Sequence, residues 1–297
     1  MRRRHDALRP LAQVTDLPVL LPAAGRAQRR FAAEALLGLP AIRLRPWHGI
    51  ALGLVFALSA GAAEAQSGAA NPSIIATLIK WTPLLFRGFL FNLLISVLAM
   101  AGGTAAGVFL GLAQISFHAP MRRAAWLVTH FFRNAPWLVL LFFCMFLLPF
   151  QFTIFGSTIP VPDWIKATFG LALPVMANVS EIVRGAVQSI PSGQWESAAS
   201  LAFTRRQTIS MIILPQCVKR MLPPWMNLYA ILAMDTVLAS IVGVNEVMTL
   251  TGDALAAENR SELLLPFYSY VLIWFFLYCY PIARWTGQLE RRFAVRA

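Results

Sequence analysis

The sequence predicts an all-α membrane protein, a bundle of five spanning helices with a cytoplasmic loop, and three observations lead there. Hydrophobic residues make up 58% of the 297 and charged residues 13%, about half the charged share of a soluble domain; mean hydropathy is +0.64. Runs such as WLVLLFFCMFLLPF (137–150) and FYSYVLIWFFLYCYPIA (267–283) do not alternate with period two, which excludes barrel strands and leaves helices. The net charge of +12 fits a chain whose Lys and Arg collect on cytoplasmic segments. No polyanionic ligand is needed to explain it, and nucleic acid is not an expected partner.

Residues 1–48 hold nine arginines, no lysine and three acids. Their prolines and their lack of an apolar period describe a disordered or cytoplasmic leader. Over 49–66 an apolar run follows Arg43, Arg45 and His48 and leads into Ala63-Glu64-Ala65. A basic flank, a short apolar core and an A-x-A site suit a cleaved secretory signal, and an uncleaved signal anchor fits the same letters. Five stronger spans follow, at 88–113, 125–150, 167–189, 224–247 and 265–284, each near the roughly 20 helical residues that cross a bilayer. They delimit a transmembrane domain over 88–285 and a basic cytoplasmic tail over 286–297.

Orientation follows from the basic residues. With the segment after residue 66 outside, inner loops and tail carry ten of them: Arg122, Arg123, Arg205, Arg206, Lys219, Arg220, Arg284, Arg291, Arg292 and Arg296. Outer segments carry four, Lys80, Arg87, Lys166 and Arg260, so the positive-inside rule is obeyed. Cys144, Cys217 and Cys279 form no CxxC, and His5, His48, His118 and His130 fall at no metal spacing, so neither a disulfide framework nor a metal site is expected. There is no G-x-x-x-x-G-K-S/T phosphate loop, and no nucleophile–base pair that would make the chain an enzyme.

Ionisable groups within spans are costly and mark candidate sites. Glu181 and Arg184 form an i, i+3 pair in the third span; at 1.5 Å per residue Glu181 lies roughly 13 Å from the inner surface. Asp235 lies roughly 16 Å into the fourth span by the same arithmetic. Either these groups satisfy one another and cap helices, or they face a central cavity and hold the ammonium group of a solute. Arg133 and Asn134, in the second span, read as positional or lipid-facing anchors. Gly103, Gly107 and Gly111 form a GxxxGxxxG ridge, expected to bring two helices of this chain close together.

The loop between spans three and four, 191–216, is polar and helix-prone. Ser192 is placed to cap a helix after Pro191, and Trp195, Ala198, Ala199 and Ala202 recur at helical spacing. Thr204 and Gln207 make a T-x-x-Q capping box for a second helix, with Ile209, Ile212 and Ile213 on one side and Pro215 ending or kinking it. The loop is therefore two short helices bent near 203–204. Its small-residue stripe suits close approach by another protein, with Arg205 and Arg206 at the rim; a helix lying on lipid headgroups fits the period too.

The residue identities go further. Glu196-Ser197-Ala198-Ala199, Ala202, and Ile213-Leu214-Pro215-Gln216 resemble the E-A-A-x-x-x-G loop of ABC transporter permeases and its I-L-P-Q-like ending. FFRNAPWLVLLFF (131–143), SEIVRGAVQSIPSGQWESA (180–198) and LPPWMNLYAILAMDTVLASIVGV (222–244) are similar, in order, to segments of the polar amino acid importer branch. The resemblance spans 88–285. It implies a five-helix type I importer permease of the bacterial inner membrane for polar amino acids or related solutes such as opines. Glu196, Ala198, Ala199, Ala202 and Arg206 would couple to an ATPase dimer, which holds the ATP; this chain would bind no cofactor. A second permease, identical or homologous, would complete the pathway, with Glu181, Arg184 and Asp235 as substrate-pathway candidates. A periplasmic solute-binding protein would dock on 151–166 and 245–263, where Glu246, Asp253, Glu258 and Glu262 orient it or form a solvated face. Three departures stand out. Ser197 replaces Ala. Ala202 replaces the usual Gly, implying a milder bend or one placed elsewhere. Met234 replaces a frequent Lys beside Asp235. The alternative is an ion-coupled secondary transporter or channel subunit, although no inverted repeat is visible; a membrane enzyme is the second rival.

Overall fold

A computed structural model describes residues 46–66, 72–154 and 157–293. Almost all of the leader expected over 1–48, and the last residues of the basic tail, lie outside these ranges. The helices are α1 (Pro46–Gln66), α2 (Ile74–Gln114), α3 (Ala119–Asn134), α4 (Trp137–Leu147), α5 (Asp163–Gln188) and α6 (Ser192–Ser200). After them come α7 (Arg205–Val242), α8 (Val247–Glu258) and α9 (Leu264–Phe293). Between α4 and α5 lies an antiparallel hairpin, β1 (Gln151–Ile154) and β2 (Ser157–Pro160), with Gln151 opposite Pro160. The five expected spans correspond to α2, the pair α3–α4, α5, α7 and α9, but several boundaries differ for identifiable reasons.

The first span begins fourteen residues before the expected 88, because α2 runs unbroken through Pro83. Ser73 caps it, its hydroxyl accepting from the Ala76 N–H. Burial of Ile74, Leu78 and Leu85 with Val247, Leu263 and Phe267 sustains the helix where Lys80, Thr82 and Pro83 look like loop letters. The second span is not straight: α3 and α4 meet at 106°. Pro136 forces the cause, since the residue before a proline is pushed out of the helical region and Ala135 is extended at φ −76°, ψ 137°.

The loop helix, expected to end or kink at Pro215, does not end there but continues into the fourth span as one helix of 38 residues. A π-helical stretch, Thr208–Ile213, precedes Pro215, which therefore sits in the first turn of regular helix, where a missing N–H costs little. The end comes at Gly243, with φ +89°. Its N–H donates to Ser240 O and Val244 N–H to Ala239 O, both at 3.0 Å, a left-handed stop that favours glycine.

α5 carries four charged residues and is not apolar enough to stand out as a span. Burial identifies it instead: Leu171, Val175, Val179 and Val183 are all fully buried. The glycine ridge explains how. A Cβ at Gly103 would lie 2.5 Å from Val175, at Gly107 2.7 Å from both Val179 and the Met176 carbonyl, and at Gly111 2.7 Å from Val183. Valines at i, i+4 and i+8 thus fill the grooves that the glycines leave, and the seam lies within the subunit as expected.

Candidate functional site

An open cleft of about 640 Å³ lies between α3, α5 and α7. At its centre is Glu181. Arg184 clamps the carboxylate with two bonds, Nη2 to Oε2 at 2.7 Å and Nε to Oε1 at 3.1 Å. The sequence spacing predicts this pair. It does not predict that Arg133, expected as a positional or lipid-facing anchor, also reaches Glu181 Oε2 at 3.5 Å. Arg220 lines the same cleft, its Nη1 donating to Ser189 O at 2.6 Å and to Ser189 Oγ at 2.8 Å. Two guanidinium groups therefore flank the carboxylate and a third lines the same cleft, so its basic side chains outnumber its one acid.

Asp235 is not gathered into this cluster. The cleft face of α7 carries Pro224, Asn227, Leu228 and Ile231; Asp235 continues that face one turn beyond Ile231, about 12 Å along the helix from Asn227. It is half-buried, and its carboxylate has no hydrogen bond or ion pair among the described residues. The two acids therefore do not form one cluster.

Two buried polar clusters escaped the sequence reading. Gln114 Nε2 donates to Ser180 Oγ at 2.7 Å and to Thr129 Oγ1 at 3.0 Å, tying α2, α3 and α5 together beside Glu181. Towards the outer side, Asn92 Nδ2 donates to Glu246 Oε2 at 2.7 Å and to Thr236 Oγ1 at 3.1 Å. Glu246 Oε1 accepts from the Met248 and Thr249 N–H groups. Glu246 is therefore the fully buried N-cap of α8 and cannot orient an outside partner. Glu258 is likewise engaged, accepting from Lys80 Nζ at 2.6 Å and Trp81 Nε1 at 2.8 Å; those bonds hold its carboxyl below the usual carboxylate range. Glu262 accepts from Arg260 Nε at 2.7 Å. Of the four acids expected on the outer loop, Asp253 is the one left exposed with no partner among the described residues.

The loop after α5 is built as two helices with a bend at 201–204. Ser192 does not cap α6: Pro191 occupies that position and offers no side-chain bond. Trp195 is half-buried and Ala198 is 1% exposed, whereas Glu196, Ala199, Ala202 and Arg206 are exposed. The alanine stripe therefore splits. Trp195 and Ala198 turn towards this chain, and Ala198 offers no surface to another protein.

The bend is as sharp as a glycine would make it. Ala202 has φ +56°, its N–H donates to Ala199 O at 3.0 Å and the Phe203 N–H to Ala198 O at 3.1 Å, the bonding of a Schellman stop. The expectation of a milder or displaced bend is thereby corrected. Thr204 then opens α7 through the predicted capping box: its N–H donates to Gln207 Oε1 at 2.9 Å, and the Gln207 N–H donates to Thr204 Oγ1 at 3.4 Å. Leu201, at the tip, is 72% exposed.

Comparison with known proteins places this geometry in context. Residues 103–295 match the family model described as binding-protein-dependent transport system inner membrane component. The chain is similar to the probable amino-acid ABC transporter permease YckA of Bacillus subtilis, 32% identical over 73% of this chain and 92% of that one. It is also 32% identical to the glutamine transport system permease GlnP of Escherichia coli, over 72% of this chain and 94% of that one. Among solved structures it resembles an amino acid ABC transporter crystallised with histidines, with a TM-score of 0.64 and 25% identity over 75% of this chain and 99% of that one. The inward-facing methionine transporter MetNI shares the fold, with a TM-score of 0.57 over 72% of this chain and 97% of that one.

Proposed function

The chain belongs to the family of binding-protein-dependent transport system inner membrane components and is an amino-acid ABC transporter permease subunit; from that premise we propose that it forms half of an ATP-driven import pathway. A second copy or a homologue supplies the other half across the open cleft. An ATPase dimer docks on the elbow formed by α6 and the start of α7, against Glu196, Ala199, Ala202 and Arg206, with Leu201 at the centre. One observation carries this reading: α7 runs without a break from the elbow, past Asn227 in the cleft, to Asp235 and Val242. A displacement applied at the elbow is thus delivered by a continuous helix to Asn227 at the cleft and to Asp235.

In this scheme the ATP is held and hydrolysed by the partner, and a solute-binding protein in the periplasm delivers cargo from the side of the hairpin and α8. Asp235 receives the ammonium group of a polar amino acid or a relative such as an opine. Glu181 with Arg184 and Arg133 forms the inner end of the passage in the bacterial inner membrane. Glu196→Lys is expected to abolish uptake and stimulated ATP hydrolysis while leaving membrane insertion intact. Unchanged uptake in proteoliposomes would overturn the docking assignment, and uptake without any ATPase would support an ion-coupled transporter instead.

Segment 49–66, open in sequence between a cleaved signal and an anchor, is read here as a retained anchor. α1 is one helix of 21 residues, although its apolar part, Gly49–Ala62, is shorter than a full span, and its contacts with α9 carry the reading. Phe56 rests against Tyr270 with ring centroids 6.3 Å apart, and a Cβ at Gly49 would meet Phe276 at 3.8 Å. These contacts make α1 antiparallel to α9, which agrees with a cytoplasmic start. Intact mass of the purified protein is expected to include residues 46–66; a mature chain beginning after Ala65 would refute the anchor.

A further inference from the structure

Arg205 stands apart from the exposed residues around it. Its guanidinium carbon lies 3.9 Å from the centre of the Phe117 ring and 5.1 Å from that of Trp195. Its Nη2 reaches the Ile115 carbonyl at 3.4 Å. Three elements far apart in sequence meet at this one side chain: α7 through Arg205, α6 through Trp195, and the loop joining α2 to α3 through Ile115 and Phe117. Trp195 is also packed on the apolar cluster of Ile190, Ile213 and Cys217 under the elbow. A planar guanidinium held between two aromatic faces and a carbonyl is a stiffer joint than a surface ion pair.

The loop that Arg205 grips controls both sides of the cleft. One end is α2, which the glycine–valine seam locks to α5 and hence to Glu181 and Arg184. The other end is α3, whose far end carries Arg133 to Glu181. We propose that Arg205 is a positioning residue that joins the elbow and the α2–α3 loop into one moving body, so that force received at the elbow reaches α2 and α3 directly as well as along α7. The proposal deepens the coupling function above and rests on it. Both arginines are exposed; Arg205 differs from Arg206 in its two ring contacts and its bond to the Ile115 carbonyl.

The test uses the assembled transporter with its ATPase. Spin labels are placed at His118→Cys and Gly193→Cys, both exposed and outside the docking residues, and the distance between them is measured without nucleotide and after trapping with ATP and vanadate. In the otherwise native chain the distance is expected to be narrow and the same in both states. In Arg205→Gln and in Phe117→Leu it is expected to broaden and to shift between states, while Phe117→Tyr, which keeps a ring under the guanidinium, restores the native result. A distance that stays narrow and unchanged in both disruptive variants would overturn the proposal. So would a native distance that changes with nucleotide. Co-purification of the ATPase is scored separately. If the native chain fails to retain the ATPase, the coupling function itself falls; if Arg205→Gln alone releases it, Arg205 is a docking contact and the positioning role is refuted.

Discussion

The seam between α2 and α5 and the elbow between α6 and α7 are both made of small residues, and they use smallness in opposite ways. Along the seam Gly103, Gly107 and Gly111 are buried, and any added methyl would strike a valine or a carbonyl. At the elbow Ala199 and Ala202 are exposed, and only Ala198 is closed in by its own chain. The seam spends its small residues on contact inside the subunit. The elbow keeps two of its three for a surface. In sequence the two patterns look alike, because small residues at helical spacing state only that something comes close, not whether it belongs to the same chain.

The largest expected effect lies in the seam. Gly107→Leu should prevent the native fold, because a Cβ there already falls 2.7 Å from the Met176 carbonyl, which cannot rotate away as a side chain can. Overpacking of this kind costs about 1–3 kcal/mol, and more where backbone must move. Gly102→Leu is the control, since nothing lies within 4 Å of a Cβ at that neighbouring position. Size-exclusion profiles and melting temperatures in detergent check both. Equal behaviour of the two variants would mean that the seam is not the tight contact described here.

The split of the alanine stripe gives the next effect. Ala198→Leu fills a buried position that is 1% exposed and should lower stability by about 1–3 kcal/mol. Ala199→Leu, on the exposed side, should leave melting within about 0.5 kcal/mol of native and weaken retention of the ATPase. If both substitutions spare stability and both weaken retention, the whole stripe faces the partner.

Much of this was legible in the letters, and what was not has a physical reason. Periodicity and runs of apolar residues revealed the spans, i, i+3 spacing paired Glu181 with Arg184, and T-x-x-Q marked the start of α7, because each depends on residues within one or two turns. The outer half of α2, the helix α8 and the buried Glu246 were hidden, because each depends on partners more than a hundred residues away: Ile74 and Leu85 on Val247 and Phe267, Glu246 on Asn92. N-A-P at 134–136 did announce the break after α3, yet within an apolar run it was outweighed by hydropathy. The approach of Arg133 to Glu181 was not visible either, because the two residues lie on different helices nearly fifty positions apart.

The smallest effect is the most discriminating for the elbow. A non-glycine residue in the left-handed region costs roughly 1–2 kcal/mol, and Ala202 carries that strain at φ +56° where the resemblance leads one to expect glycine. Ala202→Gly should therefore stabilise the protein by about 1 kcal/mol, less the entropy that a glycine adds to the unfolded chain. Gly243, at φ +89° with open space around it, is the mirror experiment: Gly243→Ala should cost a similar amount at the other end of α7. Thermal melts of the two variants measure both signs. A destabilised Ala202→Gly would mean that the bend at 201–203 relaxes without strain, and the elbow would then be a hinge in its own right rather than a fixed corner that passes motion on to α7.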